Sequence, residues 1–211
     1  EHSAMSAFWN GGQNCSANMR QLIAAPLVDE FTGLILERVK RFKLGDPLDP
    51  KTDIGSMITK DHKEMVMNYI QSGVDEGAKM LMGGESDVPG YFIKPTVFEN
   101  ITPEMKIARE EIFGPVLGIM PVKNAEEALR IASDTDYGLH ATVFTQNIDQ
   151  ALHMARSLPC GTVSVNGFSE GDIKTPFGGY KQSGSLARDN GTEAIEQYLQ
   201  TKTIWVQTKS S

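Results

Sequence analysis

Val116-Leu117-Gly118-Ile119-Met120-Pro121-Val122 opens a stretch, Val116–Val165, in which strand and helix patterns alternate. The first seven residues form an apolar run suited to a strand buried on both faces. Asn124 then offers an N-cap to a helix reaching about Ser133. Ala141–Thr145 is β-branched and aromatic, a second strand. Asn147 caps the next helix, through Ala151, Met154 and Leu158, and Gly161–Val165 is a third strand. The order β-α-β-α-β calls for right-handed crossovers and a parallel sheet. The fold class is therefore α/β, a mostly parallel sheet flanked by helices.

Outward from this stretch the pattern continues. Pro26–Phe42 reads as a helix, with Leu27, Phe31, Leu34, Ile35, Val39 and Phe42 at helical spacing, stopped by Gly45 and Pro47. Asp61–Gly73 reads as another helix. Ala78–Met82 is a short strand expected to end at Gly83-Gly84. Tyr91–Phe98 is a strand in which Pro95 signals a sheet edge or an irregularity. Toward the C-terminus, Asn166–Gly191 is rich in Gly, Pro, Ser and Asp. A loop of that length in a compact domain tends to be functional. A short helix over Thr192–Gln200 and a strand over Thr203–Gln207 follow. The expected organisation is one domain over 1–190 and a C-terminal helix and strand over 191–211.

The 211 residues carry a net charge of -7, with 40% hydrophobic and 22% charged residues. This is soluble-globular composition, and the negative balance with no Lys/Arg run disfavours nucleic acid as a partner. No stretch has membrane-spanning length. Two cysteines, Cys15 and Cys160, lie too far apart for a metal-binding spacing and too few for a disulfide framework. The simplest reading is two reduced thiols in the cytoplasm.

Cys15 follows Phe8-Trp9-Asn10-Gly11-Gly12-Gln13-Asn14. Two glycines and an amide before a Cys suggest a tight turn with close backbone approach. The residues after it, Ser16 to Arg20, can begin a helix whose dipole would favour the thiolate. From these residues alone a lone Cys is more often an inert, buried small hydrophobe. Cys160, in Leu158-Pro159-Cys160-Gly161, reads as core packing. None of the four histidines forms an evident pair with Cys15; His140 and His153 read as structural or solvated.

Several segments together resemble the aldehyde dehydrogenase superfamily. Phe8–Cys15 is similar to its catalytic-cysteine signature. Glu110-Glu111-Ile112-Phe113-Gly114-Pro115-Val116 is similar to its nicotinamide-side motif. Asn166 with Pro176-Phe177-Gly178-Gly179-Tyr180-Lys181-Gln182-Ser183-Gly184 is similar to its substrate-entry region, and Thr201–Val206 to its oligomerisation strand. Order and spacing fit, nearly end to end.

The resemblance implies an NAD- or NADP-dependent oxidation of an aldehyde to a carboxylic acid. Cys15 would be the nucleophile, passing through a thiohemiacetal and a thioester. Glu111, Phe113 and His62 would lie at the nicotinamide ribose. Asn14, Ser16, Phe168 and Phe177 would line the substrate pocket; no metal is implied. Phe168-Ser169-Glu170-Gly171-Asp172 resembles members acting on aminoaldehydes, in which Glu170 and Asp172 would attract a cationic amine. A homodimer or homotetramer is implied. The family's general-base Glu-Leu-Gly-Gly type motif does not occur in these residues, nor does a Gly-rich dinucleotide fingerprint. The chain is therefore expected to be a catalytic part, inactive alone, with the dinucleotide-binding domain absent. Two other functions fit the residues: a non-catalytic interaction module pairing through its terminal strand, and a weak thiol esterase using Cys15.

Overall fold

The computed structural model describes residues 1–184 and 186–208. In chain order these form α1 (His2–Phe8), β1 (Arg20–Ala24), α2 (Val28–Val39), α3 (Lys60–Asp75), β2 (Lys79–Glu85), β3 (Ile93–Glu99), α4 (Lys106–Arg109) and β4 (Val116–Val122). Then follow α5 (Ala125–Ser133), β5 (Tyr137–Gly138), β6 (His140–Val143), α6 (Ile148–Ser157), β7 (Thr162–Val165), β8 (Tyr180–Lys181) and α7 (Glu193–Glu196).

The main sheet has the order β1-β4-β3-β2, with β4 parallel to both β1 and β3 and β2 antiparallel to β3. Strand alternation sends successive side chains to opposite faces. In β4, Val116, Met120 and Val122 therefore join a core with Val66 and Ile70 of α3 and Ile131 of α5. Leu117 and Ile119 join a second core with Ala4, Ala7 and Phe8 of α1 and Ile35 and Val39 of α2. The unbroken apolar run of β4 is thus the midline of a helix–sheet–helix sandwich.

The predicted caps form as their chemistry dictates. Asn124 Oδ1 accepts from Glu127 N, and Asn147 Oδ1 from Asp149 N and Gln150 N. The parallel sheet expected over Val116–Val165 is divided. β6 and β7 form their own parallel pair, separate from the sheet that holds β4. Pro95 lies in an interior strand and not at an edge. The missing N–H is accommodated by irregular pairing with β2, whose register shifts between Met82 and Gly84. Gly83 and Gly84 do not end β2 but carry this bulge, both at positive φ.

Two further expectations differ from the structure. No helix follows Cys15: residues 15–19 form a turn and an extended link, and β1 starts at Arg20. Thr203–Gln207 forms no strand. Ile204, Trp205 and Val206 are 74%, 88% and 76% exposed. A strand exists only through a ladder partner, and none lies beside this segment among the described residues. Residues 209–211 of the expected C-terminal unit lie outside the described residues.

The contact that fixes the Cys15 turn is between backbones. Gly12, at φ +69, lies so close to Gly114 that a Cβ on it would sit 2.2 Å from the Gly114 carbonyl oxygen. Gly114 in turn has no room for a Cβ beside Val66 of α3, which would be 2.7 Å away. Gly12→Ala is expected to destabilise the chain by about 1–3 kcal/mol, the scale of overpacking a rigid site, read as a lower denaturant midpoint with unchanged slope.

Candidate active site

The Cys15 turn is held from three sides. Gln13 Nε2 donates to Ser56 O at 3.3 Å and its Oε1 accepts from Ile58 N at 2.9 Å, clamping the 56–58 segment. Asn18 N donates to Ser6 O of α1 at 3.1 Å. Beyond Cys15, Asn14 and Ser16 both reach one carboxylate oxygen of Glu170. Asn14 Nδ2 donates to it at 3.1 Å, and the buried Ser16 hydroxyl makes a short hydrogen bond to it. Cys15 itself is exposed, its thiol 3.9 Å from Asn14 Oδ1. Among the described residues nothing accepts from the Cys15 N–H, which leaves a donor beside the sulfur.

Cys15 and Asn14 open onto a cleft of about 1200 Å³. It runs along the outer edge of β1 and the facing edge of β6. Glu111 and Phe113 lie on its wall, Gln182 and Ser183 on another. Glu111 has no hydrogen-bond partner among the described residues, and partial burial pushes its carboxyl pKa up. A partly desolvated carboxylate without donors suits a pair of hydroxyls, so the residues present fit a ribose. Phe113 is held at φ 54, a conformation that bulky residues adopt only when their surroundings impose it. His62 imposes it in part: its Nε2 bonds the Phe113 carbonyl at 2.7 Å and the two rings meet edge to face at 6.2 Å. His62 thus stands behind Phe113 and does not line the cleft. The neighbouring Glu110 accepts from Tyr69 Oη at 2.8 Å; burial and that bond push the tyrosine up to about 12.

The remaining predicted pocket residues divide. Ser16 is buried behind Cys15, off the cleft wall. Phe168 packs edge to face on His140 at 5.5 Å, near the Cys15 turn but off the cleft wall. Phe177 is tied by paired backbone bonds to Asp189 and does not reach the cleft. Asp172 caps a local turn through Lys174 N, so of the two acids only Glu170 meets the Cys15 turn. Sequence reasoning gave His140 only as structural or solvated and did not nominate Arg20. His140 lies between the Asn18 side chain and the Glu170 loop, and Arg20 lies beside Cys160, donating to Ala132 O at 3.3 Å. Neither has a local motif.

The whole chain compares closely with proteins of one family. The aldehyde dehydrogenase family model matches residues 1–204. The chain belongs to the aldehyde dehydrogenase family. It is 39% identical over 206 residues to an aminoacetaldehyde dehydrogenase of Pseudomonas aeruginosa, covering 98% of this chain and 41% of that protein. It is 42% identical over 205 residues to a cytosolic 10-formyltetrahydrofolate dehydrogenase of Xenopus tropicalis, covering 96% of this chain and 23% of that protein. The structure superposes with a TM-score of 0.94 on a Pseudomonas syringae indole-3-acetaldehyde dehydrogenase solved with NAD+ and IAA. That pair is 38% identical, covering 98% of this chain and 42% of the other. The chain therefore spans less than half the length of these relatives.

The two thiols differ in setting. Burial pushes the Cys160 thiol pKa up, against the opposing pull of Lys181 and Arg20. At neutral pH, iodoacetamide is expected to label the exposed Cys15 several-fold faster than Cys160. Labelling of Cys160 should continue to rise at pH values above the ordinary thiol range, because its raised pKa keeps the protonated form longer. Peptide mapping of a time course reads both rates; equal rates would contradict the described burial.

Proposed function

We propose that this chain carries the covalent chemistry of an NAD(P)-dependent aldehyde oxidation, with Cys15 as nucleophile. The observation that carries it is the meeting, in one cleft, of an exposed Cys15 with a free backbone donor and of Glu111 and Phe113. The Cys15 thiolate adds to the carbonyl carbon; a carbon–sulfur bond forms and the carbonyl π pair moves to oxygen. The Cys15 N–H donates to that oxygen. Nicotinamide, when bound, supplies an acceptor for the hydride lost from the tetrahedral carbon. Water then adds to the thioester, the carbon–sulfur bond breaks, and carboxylate leaves with Cys15 restored. Glu111 would accept from the ribose hydroxyls, Phe113 would pack beside them, and His62 would hold Phe113 in place. Asn14, Ser16 and Phe168 would shape the substrate end.

The substrate class is an aldehyde bearing a cation, such as an aminoaldehyde. Support comes from Glu170, whose carboxylate is held beside Cys15 by Asn14 and Ser16. A second support is the 39% identity to a protein named for aminoacetaldehyde. The 211 residues alone would not turn over; the general base and most of the cofactor site would come from the portion that the longer relatives carry besides. The exposed Ile204–Val206 segment would pair with a second copy in a homo-oligomer.

In protein that includes the complementary portion, Cys15→Ala should lower kcat for aldehyde oxidation by roughly 10⁴-fold or more, the scale of nucleophile loss. Retained turnover would reject the assignment. Glu170→Gln should raise KM for an aminoaldehyde by roughly tenfold, the scale of one hydrogen bond to a charged group, and leave KM for a neutral aldehyde unchanged. An equal change for both substrates would reject the cationic specificity.

A further inference from the structure

His140 is the first residue of β6, and its ring contacts three segments. Nδ1 lies 3.3 Å from Asn18 Oδ1, in the link that leads from the Cys15 turn into β1. Nε2 lies 3.1 Å from Ser164 Oγ of β7 and 3.0 Å from the Ser169 carbonyl oxygen. Ser164 Oγ donates to the same Ser169 carbonyl, and Phe168 covers the ring edge to face. The residue after Ser169 is Glu170, whose carboxylate meets Asn14 and Ser16 on either side of Cys15. The ring therefore joins the Cys15 link, the sheet and the loop that delivers Glu170.

A doubly protonated ring would donate to Asn18 Oδ1 and to the Ser169 carbonyl as they stand, and a ring protonated on Nε2 alone satisfies the same network after one amide rotation. A neutral imidazole with its proton on Nε2 donates to the Ser169 carbonyl. Nδ1 is then an acceptor, and a half-turn of the Asn18 amide brings its NH2 to Nδ1. The Thr142 hydroxyl, 2.7 Å from the other end of that amide, then donates to the amide oxygen. Burial pulls the His140 pKa down, opposed by the Ser169 carbonyl and the Glu170 carboxylate, in keeping with a neutral ring. A ring so enclosed has few rotamers left, and the loop it holds has few positions.

We propose that His140 is a positioning residue for substrate charge: through the Ser169 carbonyl it holds the Glu170 carboxylate against the Asn14–Ser16 segment. Asn14 and Ser16 use only one Glu170 oxygen, and among the described residues the other has no partner, leaving it to a cationic group approaching Cys15. Without the Nε2 donor, the Ser169 carbonyl keeps only the Ser164 hydroxyl among the described residues, and the 166–172 loop can carry Glu170 away. The proposal rests on Cys15 being the accessible nucleophile.

The test needs no cofactor and uses the full chain. Cys15 is modified with a cationic reagent, 2-aminoethyl methanethiosulfonate, and a neutral one, methyl methanethiosulfonate. In each case the thiolate sulfur bonds to the reagent sulfur and methanesulfinate leaves. Peptide mapping separates Cys15 from Cys160, and the ratio of cationic to neutral rates at Cys15 reports the local negative charge. Glu170→Gln should lower that ratio by roughly fivefold, the factor one carboxylate exerts on a nearby cation in partly hydrated surroundings. His140→Ala should lower it to the same level, while the neutral reagent still prefers Cys15 over Cys160. His140→Gln, which carries an amide N–H to about the reach of Nε2, should keep the ratio of the native chain. A ratio lost in Glu170→Gln but kept in His140→Ala overturns the positioning role and leaves the assignment of Cys15 standing. Neutral labelling of Cys15 no faster than Cys160 in the native chain overturns that assignment itself, and the proposal with it.

Discussion

The approach of Gly12 to Gly114, with Val66 of α3 directly behind, sets the geometry of the cleft. Backbone meets backbone there, so the Cys15 turn and the Glu111–Phe113 segment are spaced by main-chain radii and not by rotamers. A side-chain contact would allow adjustment; this one allows almost none. Both segments also lean on the sheet. Gly114 precedes β4, the Cys15 turn runs into β1, and β1 and β4 pair in parallel from Arg20 and Gly118 onward. Cys15 and the Glu111 carboxylate are thereby referred to one rigid element, as the proposed reaction, sensitive to ångström misplacement, would require.

The other side of the cleft is organised by polar chemistry. Glu170 crosses to the Cys15 turn from a loop 156 residues beyond Asn14, and the loop is steadied by the His140 ring. These bonds lie at a partly wet rim, where each contributes modestly. Their effect is to orient charge, not to hold the fold. Stability resides in the two apolar cores on either face of β4, and the proposed charge specificity would reside in the rim.

Much of the fold was legible because β4 and the helices after it obey local rules. A seven-residue apolar run, and Asn at two helix starts, need no long-range information. Pro95 was legible as an irregularity but not as an interior position, because the bulge that tolerates it belongs to the partner strand. The segment after Cys15 resembled a helix start by composition, yet it runs as a turn and extended link into β1 at Arg20, where pairing with β4 sets the backbone; tertiary pairing overrides a weak local preference. Thr203–Gln207 has strand composition but no ladder partner among the described residues. In the candidate site, Cys15, Glu111 and Phe113 were marked by motif. The separation of Glu170 from Asp172, and the role of His140, depend on contacts between distant segments that no spacing encodes.

The proposed reaction requires Cys15 to form an acyl thioester. The most direct measurement is to treat the full chain with 4-nitrophenyl acetate, quench in acid and map the adduct by mass spectrometry. The expected result is a single transient acetyl group on Cys15, lost on standing at neutral pH as water hydrolyses the thioester. Acetylation confined to Cys160 or to surface lysines, with Cys15 unmodified, would contradict it.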